Sequence, residues 1–363
     1  MKAAVCHAFG EDLVIEEVTL RAPGPGEVEI RMSACAICHS DITYAKGDWG
    51  GFLPAVYGHE GAGYVAALGD GVQGLLVGDP VLVTLIRSCG ECPNCATGQP
   101  ARCETGVDRV KGPLTTADGG PLEQGMQTAA FAERVVVDQS QVVKIPADMP
   151  MASASLLSCG VITGVGAAIN TGRIRPGSSV AVIGAGGVGL NVIQGAAIAG
   201  AARIIAVDLE PSKLTAALEF GATDKVLASD TAVDELRTLT GGRGVDTVLV
   251  AVGSAAVYQT APDYLCQGGT LVMVGMPPVG AGVTWEPLNI ASLSHSMLGS
   301  CMGDTVLARD IPYLVSLYQQ GRLKLDQLVS KTWAFEDINL AIADTLAGKA
   351  RRNVILFDDT GTP

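Results

Sequence analysis

Four cysteines, Cys89, Cys92, Cys95 and Cys103, fall within fifteen residues in the segment SCGECPNCATGQPARCE, spaced C-x-x-C-x-x-C-x7-C. Four thiolates at that density can close around one tetrahedral Zn²⁺, and an ion with four protein ligands has no open position for a substrate. The cluster therefore predicts a structural metal. Disulfides are the alternative, but the spacings are short for bridged pairs and typical of zinc sites. A reactive centre has to be sought elsewhere. The rest of the chain holds six more cysteines and four histidines. Cys38 in ACAICHSD, His59 in YGHEGAG and Cys159 in LSCGVITG stand out. Taken singly, each has an ordinary reading as a small buried apolar residue or a satisfied core imidazole. Spacing alone does not join positions so far apart.

A second constellation is the run Gly184-Ala-Gly-Gly-Val-Gly189. It follows an apolar strand pattern, SSVAVIG, and opens a helical one, the context a dinucleotide-binding turn requires. Gly184 permits the tight turn, Gly186 lets a pyrophosphate approach the backbone, and Gly189 allows close helix–strand contact. Gly187 and Val188 complete the loop at the helix start, whose dipole favours an anion. Asp208 ends the next strand pattern, nineteen residues after Gly189. A carboxylate there accepts hydrogen bonds from ribose hydroxyls and repels a 2′-phosphate. Leu209 and Glu210 follow it, with no arginine, so NAD is expected rather than NADP.

These groups need scaffolds of two kinds. The first ~150 residues carry short apolar runs (EVEIRMSA, GAGYVAAL, DPVLVTLI, AERVVV) between Gly and Pro turns, which predicts a β-rich domain. The polar stretch between Cys103 and Phe131 reads as a long surface loop. From Ser178, apolar strands alternate with helices, which predicts a parallel sheet covered on both faces. The expected fold is α/β: a doubly wound parallel-sheet domain over 161–301 and a β-rich domain over 1–160, completed by 302–363. A chain of 363 residues with 48 % apolar content has core enough for both. The net charge of −13 opposes nucleic-acid and anionic membrane partners. No signal-peptide pattern opens MKAAVCHAFGEDL, so a cytoplasmic protein is expected. The uncharged run Pro176–Ala202 is rich in glycine and splits into strand, turn and helix, unlike a membrane span.

Taken together, C-H-S-D at 38–41, G-H-E-G-A-G at 58–63, the four-cysteine lobe, C-G-x-x-T-G from 159, the glycine fingerprint from 184 and G-K-x-x-R near the end resemble the zinc-containing medium-chain alcohol dehydrogenases over nearly the full length. The resemblance implies a GroES-like catalytic domain with a Rossmann domain inserted in it, two zinc ions per chain, and NAD. It makes Cys38, His59 and Cys159 the catalytic zinc ligands, an open Cys₂His set. Asp41 would orient His59, and Glu60 would lie behind the metal. Ser40 would take the alcohol proton. His39 and Arg352 match positions that contact the coenzyme pyrophosphate, and Lys213 one near the adenosine ribose. Trp49, Leu85 and Phe131 would line the substrate cleft, or else belong to the core. The expected reaction is oxidation of a primary alcohol to the aldehyde, and its reverse, by hydride transfer to NAD where the two domains meet.

One departure concerns the proton path. Relatives often place a histidine five residues after the first zinc ligand; here the position holds Thr43, so proton release directly to water is expected. Two rivals are weighed. The glutathione-dependent formaldehyde dehydrogenase branch shares the long loop and the phrase QGAAIAGAARIIAVD. It expects more acids than Asp48 and an arginine where Val107 stands, although Arg109 and Lys111 are nearby. A non-catalytic zinc-binding regulatory protein would explain the cysteine lobe but neither the coenzyme fingerprint nor a second metal. The loop length suggests a homodimer.

Overall fold

Along Glu27–Ala36 alternate side chains are buried as far as Met32, and the last three, Ala34, Cys35 and Ala36, are all buried. Such a strand lies at a sheet surface at one end and inside the protein at the other. In the computed structural model, which describes residues 1–107 and 111–358, it is the spine of a seven-stranded sheet. The sheet runs Val142–Lys144, Pro80–Val83, Glu60–Leu68, Glu27–Ala36, Arg352–Leu356, Val329–Ala334, with Arg134–Asp138 also paired to Glu27–Ala36. The C-terminal strand Arg352–Leu356 thus lies beside the N-terminal spine. A five-stranded sheet packs with it, in the order Leu114–Thr116, Val14–Leu20, Lys2–Cys6, Ala55–Val56, Glu123–Gln124. Val5, Ile30, Val56, Tyr57, Val83, Phe131 and Ile355 share one buried core between them.

The stretch after Cys103 is therefore not wholly a surface loop. Leu114–Thr116 pairs antiparallel with Val14–Leu20, and Glu123–Gln124 pairs parallel with Ala55–Val56. Leu114 and Leu122 are buried. Two strands of three and two residues leave no periodicity to read, so Gly and polar residues dominate the local pattern. Arg109 lies outside the described residues.

Residues Met1–Cys159 and Val306–Pro363 form one compact unit, and Gly160–Thr305 a second. The second is built on a six-stranded sheet whose pairings are all parallel: Asp224–Leu227, Arg203–Asp208, Ser179–Ile183, Val245–Val250, Leu265–Met273, Ser296–Gly299. Its central strands, SVAVI and VDTVLV, are mostly apolar and buried at all but one position each, as cover on both faces demands. The order reverses at Ser179–Ile183, the carboxyl end of which carries the glycine turn; ligands of open α/β sheets bind at such switch points. Pro176–Ala202 resolves into the strand Ser179–Ile183 and the helix Gly187–Ile198. Among the described residues no single helix is long and apolar enough to cross a membrane.

Candidate active site

Three segments of the first unit deliver its chemistry to one place. Cys38 follows the spine strand and caps the helix His39–Lys46. The backbone before it is held by the C-terminal strand, through Ile37 N–H to Asn353 O at 2.9 Å. His59 directly precedes the strand Glu60–Leu68 and is fully buried. Cys159 sits in the turn after Leu156–Ser158, and Ser158 Oγ ties that turn to Gly61 O at 2.9 Å. One ligand atom each from Cys38, His59, Cys159 and Glu60 lies within 4.8 Å of all the others.

Asp41 organises this cluster. Its Oδ2 accepts from Cys38 N–H at 3.0 Å, and its Oδ1 accepts from Gly58 N–H at 3.0 Å and His59 Nδ1 at 2.9 Å. With Nδ1 committed to a carboxylate, Nε2 is the ring nitrogen left to face the thiols. That atom is buried with no hydrogen-bond partner among the described residues. An orphaned imidazole nitrogen beside two sulfurs is the donor set of an open zinc site, with the carboxylate fixing the tautomer.

Local charge follows the same design. A hydrogen bond with Cys159 holds the Cys38 thiol well below its ordinary range, and His59 adds to the effect. Cys159 is pushed well up by the same contact and by burial. Burial works against charge on His59, but the Asp41 carboxylate prevails and raises it well above the usual imidazole value. Burial lifts Glu60 to about 7, against the pull of Arg352. The Arg352 guanidinium lies on the Glu60 carboxylate and donates to Ile37 O at 3.2 Å. Both side chains are buried, so this is an internal ion pair. Sequence reasoning treated Arg352 and Glu60 as separate contacts. Ala36 is flanked by Glu60 on one neighbouring strand and Val354 on the other, a register that residue spacing does not reveal.

In the cysteine lobe, the sulfurs of Cys89, Cys92, Cys95 and Cys103 also lie within 4.8 Å of one another. None of the ten cysteines is in a disulfide. Cys89 and Cys95 sulfurs are 4.0 Å apart, too far for a disulfide. That spacing suits a tetrahedral ion, for which Zn–S bonds of ~2.3 Å give sulfurs about 3.8 Å apart. Backbone amides stabilise thiolates here. Cys89 Sγ accepts from Cys92 N–H at 3.3 Å and Glu91 N–H at 3.4 Å. Thr105 and these amides bring Cys89 down to about 6.

The glycine turn has a separate steric reason at each position. Gly184 has φ +95°, a left-handed conformation that side chains resist. A Cβ on Gly189 would lie 1.7 Å from Gly184 O, so strand and helix meet there without room for a methyl. A Cβ on Gly186 would meet nothing within 4 Å. The turn thus leaves an open cradle at the start of the helix Gly187–Ile198, where free amides suit a diphosphate. Asp208 ends the neighbouring strand, and Lys213 is half-buried on the helix Pro211–Glu219.

Residues 24–147 match the alcohol dehydrogenase GroES-like domain, and residues 187–320 match the zinc-binding dehydrogenase domain. The NDMA-dependent alcohol dehydrogenase of Amycolatopsis methanolica is 37 % identical over 364 residues, covering 98 % of each chain. The chain belongs to the zinc-dependent medium-chain alcohol dehydrogenases. Among solved structures, an alcohol dehydrogenase zinc-binding domain protein from Burkholderia ambifaria superposes with a TM-score of 0.93 at 38 % identity, over 98 % of each chain. Benzyl alcohol dehydrogenase from Acinetobacter calcoaceticus gives 0.91 at 33 % identity, over 98 % of this chain and 99 % of that one. Membership makes the protein an oxidoreductase of alcohols, with a GroES-like catalytic domain and a Rossmann domain.

The remaining residues singled out in this alcohol dehydrogenase fall as follows. His39 is exposed and Ser40 half-buried, in the first turn of the helix that Cys38 caps. Thr43 lies one turn on and donates its hydroxyl to His39 O at 2.8 Å. Trp49 meets Tyr44 edge-on at 5.2 Å between ring centres, and Tyr44 stacks with Tyr57 at 6.2 Å. Leu85 is half-buried. Phe131 is inside the core, its ring filling the space beside Gly58. Asp48, Val107 and Lys111 are exposed.

Proposed function

We propose that this alcohol dehydrogenase interconverts a primary alcohol and its aldehyde at the Cys38–His59–Cys159 centre, with NAD as hydride carrier. The observation that carries the reading is the His59 ring, pinned by Asp41 through Nδ1 while its other nitrogen is buried, unpartnered and beside two thiols. A zinc ion held there supplies Lewis acidity, which lowers the pKa of a hydroxyl and stabilises charge developing on oxygen. The chain's own groups do the rest. Asp41 keeps the imidazole in its ligating tautomer. Arg352 balances Glu60, so the pocket behind the ligands holds no unpaired buried charge. Ser40 takes the alcohol proton at its hydroxyl and passes its own proton on to water, ending unchanged. Gly184, Gly186, Gly187, Val188 and Gly189 seat the pyrophosphate, with His39 and Lys213 assisting. Asp208 binds the ribose.

Trp49 and Leu85, both half-buried, favour apolar substrate tails, aliphatic or aromatic, whereas Phe131 belongs to the core. A relative is named NDMA-dependent, so NDMA belongs among the acceptors tested. The experiment is turnover of benzyl alcohol, octanol and hydroxymethylglutathione with NAD⁺, NADP⁺ or NDMA, alongside zinc analysis. Two zinc ions per chain and oxidation of benzyl alcohol or octanol with NAD⁺ are expected. Turnover of hydroxymethylglutathione alone, preference for NADP⁺, or one zinc without turnover would overturn the reading. We also infer a homodimer. Residues 287–299 contain no Asp, Glu, Lys or Arg, and Leu288, Leu293 and Leu298 are exposed along them. In a chain of net charge −13, such a patch is where two copies meet with least repulsion. Light scattering after gel filtration tests this.

A further inference from the structure

Asp208 does something that binding a ribose does not require. Both of its oxygens already hold backbone amides: Oδ2 accepts from Ala185 N–H at 2.7 Å, and Oδ1 from Glu210 N–H at 3.0 Å. Ala185 is 2 % exposed and lies between Gly184 and Gly186. Among the described residues its amide has no other acceptor. Gly184 N–H, one residue earlier, is held by Val207 O at 2.8 Å, so the strand's last two residues grip the turn together.

We propose that Asp208 is a positioning residue for the glycine turn as well as a ribose acceptor, and that it rejects a 2′-phosphate because its carboxylate is pinned and cannot swing aside. The proposal rests on the NAD reading above. Each carboxylate oxygen has two acceptor directions. One on each is used by an amide, which leaves one on each for the two hydroxyls of an unphosphorylated ribose. The same two amides fix the plane of the carboxylate. Charge removal at this position, which simple repulsion says should admit NADP, would therefore also release the turn that seats the pyrophosphate. Asn has one oxygen and can satisfy only one of the two amides. Ser, with a shorter stem, loses the reach to Ala185.

The test compares wild type, Asp208→Asn and Asp208→Ser without coenzyme. Amide hydrogen exchange is followed across residues 184–190, and NADH and NADPH binding are titrated separately by fluorescence. In Asp208→Ser the Ala185 amide should exchange at least about tenfold faster, since a buried amide without its acceptor opens more readily. NADH affinity should fall by at least about tenfold with no gain for NADPH. Asp208→Asn should fall between, and circular dichroism should show both variants folded. Wild-type exchange in Asp208→Ser, or NADPH binding that tightens on substitution, would overturn the clamp. A wild-type preference for NADPH would sink the NAD reading, while the exchange comparison would still judge the clamp.

Discussion

Asp41→Asn separates the metal centre from the rest of the fold. Asp41 is 2 % exposed and accepts three hydrogen bonds, from Cys38 N–H, Gly58 N–H and His59 Nδ1. An amide oxygen placed where Oδ1 stands keeps two of them. The amide nitrogen then faces Cys38 N–H, donor against donor. One buried amide loses its acceptor, which costs about 1–3 kcal/mol. The bond to His59 loses its ionic component, roughly half its strength. Removing a partner that orients a metal ligand weakens metal binding by about 10–100-fold, or roughly 1.4–2.7 kcal/mol. The variant should therefore lose about 2 kcal/mol of stability. Zinc bound at the Cys38–His59–Cys159 centre should also pass to a chelator at a concentration about ten- to a hundredfold lower than wild type requires. The ion in the cysteine lobe should be untouched. Asp41→Ala, which strips all three donors, should be worse on both measures. Competition with a chromophoric chelator and thermal unfolding on the same samples read out the two effects. An Asn variant that holds both ions as tightly as wild type would refute the role given to Asp41.

Cys92→Ser should cost one zinc per chain and lower Tm more than it lowers kcat; Cys159→Ala should keep the fold and NADH binding but lose turnover. Metal analysis with calorimetry and kinetics checks both, and full activity in Cys159→Ala would remove it from the centre. Thr43 spends its proton on His39 O, so any step in the kcat profile between about pH 6 and 7 should survive in Thr43→Ala. A step there that vanishes in Thr43→Ala would contradict direct proton release to water. Asp246 responds to acid. Burial works to raise its pKa, but Arg243 and the Ser179 amide hold it down at about 2. A depressed folded pKa contributes stability that is full above the unfolded value of about 3.9 and fades as pH falls toward about 2. With the side chain 34 % exposed, screening leaves about 1 kcal/mol. Asp246→Asn should thus be less stable than wild type by about that much at pH 7 in urea titrations. The gap should narrow by about pH 3, and a gap independent of pH would refute the assignment.

What could be read without coordinates was local. The four lobe cysteines lie within one short segment, and the glycine fingerprint is a strand, a turn and a helix in direct succession. Spacing therefore carries geometry in both. The open metal site is different. Cys38, His59 and Cys159 were joined only by family resemblance, since nothing in their separation says that Ser158 hooks onto Gly61. The three-way grip of Asp41 depends on the segment at Gly58 and His59 folding back onto the helix start, and the pairing of Arg352 with Glu60 on sheet register over hundreds of residues. The pins on Asp208 were missed for a subtler reason: a carboxylate with an evident ligand role gave no cue to a second, backbone role. The strands Leu114–Thr116 and Glu123–Gln124 are too short to show a period, so their pairing had to come from their partners.

The two metal sites also differ in when the growing polypeptide can make them. The lobe needs fifteen consecutive residues and can capture its ion soon after they leave the ribosome. The open site has Ile37, next to Cys38, tied to Asn353 on a strand made hundreds of residues later. A product truncated before that strand would keep the cysteine lobe but lose the tie that holds the Cys38 segment in place.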